Sequence, residues 1–316
     1  MIKTNQTYWK LALLMALVML LAACQPGRDQ AAADEPRMLV TVSILPQAYF
    51  VERIGGERVS VNVMVGAGED PHTYEPKPEQ MRALSSSQLF FTIGTEYEGA
   101  WLPRLREVNP EMIFVDSAEG IERIMETVAH THDENEDHLD EVDDHDDDDD
   151  EHAGGLDPHV WLSPRNGMLI AANIYSALVA ASPADEALFT ANYEALIAEI
   201  EDLDQRISET LSGVTQRKFM IYHPAWGYFA RDYDLIQLPI QIGGTDPSPS
   251  ELAALIDRAR EENIRVIFVQ PAFSAANAQA VAAEINGEVA TVDPLARDWL
   301  ENLETAAAAF AAVLGK

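Results

Sequence analysis

Leu156-Asp157-Pro158-His159-Val160-Trp161-Leu162-Ser163-Pro164 divides the chain. An acidic, histidine-dotted tract lies directly before it and a long helical region directly after it. A residue that precedes proline is pushed out of the helical region, so Asp157-Pro158 predicts a turn and presents His159 from a stiff loop. The same Asp-Pro-His core occurs 87 residues earlier, at Asp70-Pro71-His72. His223, in Tyr222-His223-Pro224, is again fixed by a neighbouring proline. Three imidazoles on rigid turns in distant stretches of chain are candidate ligands for a single transition-metal ion.

Strands and helices alternate on both sides of this divide. Before it, strands are expected over Met38–Ser43, Val59–Val65, Gln88–Ile93 and Met112–Val115. Helices are expected between them over Gln47–Ile54, 77–87 and Gly99–Val108, the first closed by Gly55-Gly56. After it come two helices, about Pro164–Ala181 and Ala184–Leu211. The second carries Leu188, Ala191, Ala195, Leu196, Ile200, Leu203 and Ile207 close to a 3.6 period. At 1.5 Å per residue it spans roughly 40 Å and reads as a stiff backbone between two lobes. Alternation then resumes, with strands at Phe219–Tyr222, Ile236–Ile242, Val266–Gln270 and Glu288–Val292. The helices there are Pro224–Arg231, Ser250–Glu262, Ser274–Ile285 and Trp299–Leu314. This pattern predicts an α/β fold of two lobes, each a parallel sheet flanked by helices. The expected division is a signal at 1–24, a mobile tether at 25–37, a first lobe at 38–163, connecting helices at 164–213 and a second lobe at 214–316.

The N-terminus reads as an export signal, with Lys3 and Lys10 before the apolar run Leu11–Leu21. That run is shorter than the about 20 residues a membrane span takes. Leu21-Ala22-Ala23-Cys24 resembles a bacterial lipobox, which implies cleavage before Cys24 and lipid on its sulfur. The mature protein is then expected to be anchored to a membrane rather than to cross it. Cys24 is the single cysteine, so neither an intrachain disulfide nor a thiolate cluster can form. Any metal must be bound by histidine and carboxylate.

Residues 130–155 break the alternation. His130, His132, His138, His145 and His152 are interleaved with acids, and 14 residues from Asp133 to Glu151 are Asp or Glu. A segment with so few apolar residues and so much like charge is expected to be disordered. It reads either as a solvated loop or as a low-affinity collector of divalent ions, since neutral imidazole and carboxylate suit them. The formal charge of the chain, −32, argues against nucleic acid as a partner and favours cations.

In open parallel sheets ligands bind outside the carboxyl ends of the strands. His72, His223 and Asp293 all fall at such ends, and His159 falls on the loop between the lobes. Three imidazoles with a carboxylate or a water make a tetrahedral set suited to Zn²⁺. Trp161 and Trp226, beside the ligands, read as wall and core packing, and Gly243-Gly244 reads as a turn.

The chain resembles the metal-binding lipoproteins of bacterial ABC importers for zinc and manganese. Four motifs carry the resemblance: 68–76 (GEDPHTYEP), 156–162 (LDPHVWL), 223–229 (HPAWGYF) and Val292-Asp293-Pro294-Leu295. The resemblance implies two lobes of four-stranded parallel sheets joined by one long helix, with the metal between them. It implies His72, His159 and His223 as ligands, and Asp293 or water as the fourth. Imidazole rather than carboxylate at 223 points to Zn²⁺ over Mn²⁺. Asp70, Glu75 and Asp157 are candidates to orient the rings. The implied role is a monomeric, extracytoplasmic component that captures zinc and delivers it to an ABC permease. A manganese or iron importer component is the alternative within that class. A secreted zinc hydrolase is the alternative outside it, although no HExxH or nucleophile motif is present.

Overall fold

The computed structural model describes residues 37–127, 155–241, 245–271 and 276–315. Cys24, the five histidines of the acidic tract and Gly243-Gly244 lie outside them. β1 (Met38–Ile44) has six of its seven residues buried, as a strand covered on both faces must. It leads through Pro46 into α1 (Leu45–Gly55) and on to β2 (Val59–Val65). There follow α2 (Pro78–Leu84), β3 (Leu89–Thr92), α3 (Glu96–Val108) and β4 (Ile113–Asp116). The four strands form one parallel sheet in the order β2-β1-β3-β4.

Two helices come next, α4 (Pro164–Ala181) and α5 (Glu186–Leu211), with a short 3₁₀ turn at Pro183–Asp185 between them. The second sheet is built from β5 (Lys218–Ile221), β6 (Ile236–Pro239), β7 (Val266–Val269) and β8 (Glu288–Thr291). Its helices are α6 (Gly227–Asp232), α7 (Pro249–Glu261), α8 (Ala276–Glu284) and α9 (Trp299–Leu314). Its order, β6-β5-β7-β8, repeats that of the first sheet, and all its pairs are again parallel. The expected two-lobed α/β architecture is therefore the observed one.

The long helix buries Leu196, Ile200, Leu203 and Ile207 of the expected stripe and departs from it at its N-terminal end. Phe189, Leu196, Ile200, Leu203, Ile207 and Leu211 are buried, whereas Leu188 is 42% exposed and Ala191 and Ala195 face solvent. Leu188 is one residue, about 100° of helix rotation, away from Phe189. The bulkier ring takes the core. α5 packs on α1, α4 and α9. Arg53 pairs with Glu199 at 2.7 Å and Arg206 with Glu304 at 2.8 Å, so α5 is pinned to the first lobe by α1 and to the second by α9.

One large apolar core runs from the first sheet through these helices to the Phe219, Ile221 and Phe268 face of the second sheet. Met220, Tyr222 and Ile267 alternate to the other face and join a smaller core under α7 and α8. Trp161 and Trp226 are both buried in the large core, as their setting in the sequence suggested. Trp161 Nε1 donates to the Pro294 carbonyl at 2.7 Å, and Trp299 Nε1 donates to the Trp161 carbonyl at 2.7 Å. The loop before α4 is thus stitched to the loop after β8.

Candidate metal centre

Asp-Pro turns build the site three times over. Asp70 Oδ1 accepts the His72 amide at 2.9 Å, Asp157 Oδ1 accepts the His159 amide at 2.8 Å, and Asp293 Oδ1 accepts the Leu295 amide at 2.8 Å. In each turn the carboxylate captures the N–H two residues on, and the proline between fixes the backbone. The first two turns present a histidine at the captured position, and the third presents Leu295. One oxygen of Asp293 is occupied in this way.

The sequence contains eight histidines, and the three outside the acidic tract meet. His72 follows β2, His159 precedes α4 and His223 follows β5. His72 Nε2 lies 3.0 Å from His223 Nε2, which lies 3.3 Å from His159 Nε2. A tetrahedral ion with Zn–N bonds of about 2.05 Å places its ligand nitrogens about 3.3 Å apart. The three donor nitrogens all fall within 4.8 Å of one another. Asp293 lines the same cavity, with Gln270 and Trp161, but the group brought within that distance is the three histidines without it.

The opposite edge of each ring is held by an acceptor. Asp157 Oδ1 sits 2.8 Å from His159 Nδ1, Glu96 Oε2 3.1 Å from His72 Nδ1, and Gln241 Oε1 3.0 Å from His223 Nδ1. Each of these oxygens can only accept, so the Nδ1 atoms carry the protons and the Nε2 lone pairs of the neutral rings converge. Three lone pairs aimed at one point repel one another and suit a cation.

Burial and charge divide the three imidazoles. His159 and His223 are each 3% exposed, whereas the His72 side chain is 25% exposed. Burial pushes His223 well below the usual histidine range, and the neighbouring His159 and His72 rings push it further down. Burial also works against a charged His72, but Glu96, with Asp70 and Glu126 behind it, outweighs this and the net shift is upward. Glu96 is itself held below the usual carboxylate range, because the bond to His72 overcomes the cost of its burial. Glu126 is pushed up by burial.

Of the carboxylates expected to orient the rings, Asp157 touches a ring and Asp70 fixes the loop beneath one. Glu75 is exposed. Glu96, Gln241 and Gln270 were not anticipated. All three follow the carboxyl end of a strand, β3, β6 and β7, so the rule that singled out His72 and His223 also covered them. Gln270 Nε2 donates to the His223 carbonyl at 2.7 Å.

Two parallel-sheet lobes bridged by a long helix, with a buried histidine cluster on their strand-end loops, define an extracytoplasmic substrate-binding protein of a metal importer. Such a protein is a carrier, not an enzyme. A family described as the periplasmic zinc-uptake complex component A, ZnuA, matches residues 40–313. The chain belongs to this family. It is 31% identical over 291 residues to the high-affinity zinc uptake system protein ZnuA of Bacillus subtilis, covering 90% of this chain and 88% of that one. It is 29% identical to the zinc-binding lipoprotein AdcA of Streptococcus pneumoniae, over 90% of this chain but only 55% of the length of AdcA. A crystal structure of a ZnuA superposes with a TM-score of 0.78 at 40% identity, covering 88% of this chain and 99% of that chain. A zinc-bound ZnuA lacking its residues 138–173 superposes equally well, at 39% identity over 89% of this chain and 99% of that chain.

Proposed function

We propose that this protein captures Zn²⁺ outside the cytoplasmic membrane on His72, His159 and His223 and delivers it to the permease of an ABC importer. The convergence of the three Nε2 atoms, each ring fixed from behind, is the observation that carries the reading. The donor set favours zinc. Three neutral imidazoles suit Zn²⁺ better than Mn²⁺, which prefers oxygen. The negative charges of Asp157 and Glu96 balance a dication without entering its coordination shell. The fourth position is taken by water or by the free oxygen of Asp293.

Lipid on Cys24 tethers the carrier, which works as a monomer. Among the described residues no single helix is long and apolar enough to cross a membrane. The AdcA protein of Streptococcus pneumoniae and the FimA protein of Streptococcus parasanguinis are both described as lipoproteins. His130, His132, His138, His145 and His152 collect ions at low affinity and concentrate them near the cleft.

Elemental analysis of protein purified without added metal, followed by competition between Zn²⁺ and Mn²⁺, tests the reading. Zinc is expected to be retained and to resist a large excess of manganese. Preferential retention of manganese or iron would reassign the cargo. Zinc bound as tightly by His159→Ala as by the natural protein would reject the site.

A further inference from the structure

We propose that Gln241 sets the rate at which the site gives up its ion, by leaving His223 the weakest donor of the three imidazoles. The inference rests on the three-histidine site proposed above. The rings differ in what stands behind them. His159 and His72 each face a carboxylate oxygen, at 2.8 and 3.1 Å, whereas His223 faces the amide oxygen of Gln241 at 3.0 Å.

A carboxylate behind an imidazole draws on its Nδ1–H and makes Nε2 a stronger donor. Hydrogen bonds with one ionised partner are roughly twice as strong as neutral ones. The amide therefore gives His223 less basicity than its two partners receive.

The choice of an amide is built into the fold. Gln241 follows β6 and is 7% exposed, and its amide N–H is bonded to the Tyr222 carbonyl at 2.9 Å, one residue from His223. From there its side chain reaches the His223 ring. A second neutral amide, Gln270, holds the His223 backbone carbonyl. A carboxylate in place of this amide would add negative charge beside the ion and hold it harder than a carrier needs. A carrier has to release what it binds.

The test compares the full chain with Gln241→Glu and Gln241→Met, each loaded with zinc and mixed with an excess of a colour-forming chelator in a stopped-flow instrument. Gln241→Glu is expected to slow release about tenfold, and Gln241→Met, which keeps the volume but loses the acceptor, to speed it about tenfold. A variant that merely loosened packing could not slow release, so the opposed directions separate donor strength from damage. Release from Gln241→Glu as fast as from the natural protein overturns the proposal. Should Gln241→Glu fail to fold, unchanged release from Gln241→Met overturns it alone. Zinc binding that depends on His159 but ignores Gln241 removes this inference and leaves the site standing. Zinc binding indifferent to His159 removes both.

Discussion

Asp157 and His159 are joined twice by a single oxygen. Asp157 Oδ1 accepts both the backbone N–H and the ring Nδ1–H of His159, each at 2.8 Å, and Asp157 has no exposed surface. The proline between them removes the remaining freedom of the turn. One buried carboxylate thereby fixes the ligand's position, its ring orientation and its tautomer.

Asp157→Asn keeps the shape of this turn but makes the acceptor neutral. Zinc affinity is expected to fall about ten- to a hundredfold, the usual cost of losing a partner behind a metal-binding histidine. His159→Ala should cost more, since it removes a donor outright. Competition titration against a chelator of known affinity measures both, and equal losses would mean that Asp157 is needed for folding rather than tuning.

Acidity should act on His223 and His72 with opposite signs. Because His223 is pushed below its unfolded value near 6.5, the unfolded chain takes a proton that the fold refuses, and stability is lost as pH falls below about 6.5. His72 is raised, so its contribution in the metal-free protein is full below about 6.5 and disappears as pH rises through its elevated value. Zinc needs all three rings neutral. Protons therefore compete at His72 above the usual histidine pKa, and Glu96→Gln should move that competition to lower pH. A zinc-binding profile with the same onset in both proteins would contradict this.

Gly227, at the start of α6, lies against the same carboxylate from the other lobe. A Cβ there would stand 2.6 Å from Asp157 Oδ2 and 3.2 Å from Ile124 Cδ1. The buried carboxylate has no solvent to swing into. Gly227→Ala is expected to cost about 1–3 kcal/mol of stability through overpacking, and to weaken zinc binding by displacing Asp157. Melting of the metal-free protein and a zinc titration read the two effects separately. An unchanged melting temperature would show that the lobes can part there without penalty.

Removal of residues 130–152 should leave the tight site intact. The described chain on either side of that stretch is paired, by a bridge between Met125 and Leu156 and by hydrogen bonds from Glu126 N to Gly155 O and from Asp157 N to Ile124 O, both 2.9 Å. A short linker can close the gap without moving Asp157. The first zinc is expected to bind with its original affinity, total stoichiometry to fall, and uptake to slow only when zinc is scarce. Loss of tight binding on deletion would place the principal site in the tract.

The lobes were legible because short runs rich in β-branched residues alternate with helical stretches. β2, α4 and α9 have the very bounds their sequence patterns indicated. The buried face of α5 was less legible, since Leu188 and Phe189 are adjacent and hydrophobicity alone does not say which turns inward. Asp-Pro-His gave away two of the proposed ligands, because its local geometry is complete within three residues. Glu96, Gln241 and Gln270 carry no such mark. Each depends on a strand end being brought beside a histidine from elsewhere: Glu96 at the His72 ring, Gln241 at the His223 ring and Gln270 at the His223 carbonyl.

The sequence by itself determined the two parallel lobes, the long helix between them and the three imidazoles on rigid turns. These follow from periodicity, from proline and from residue chemistry, which are properties of short stretches. Only the tertiary structure decided that Glu96 backs the His72 ring and Gln241 the His223 ring. Contacts of that kind join residues as far apart as His72 and His223, and their geometry is set by how two sheets pack rather than by any local pattern.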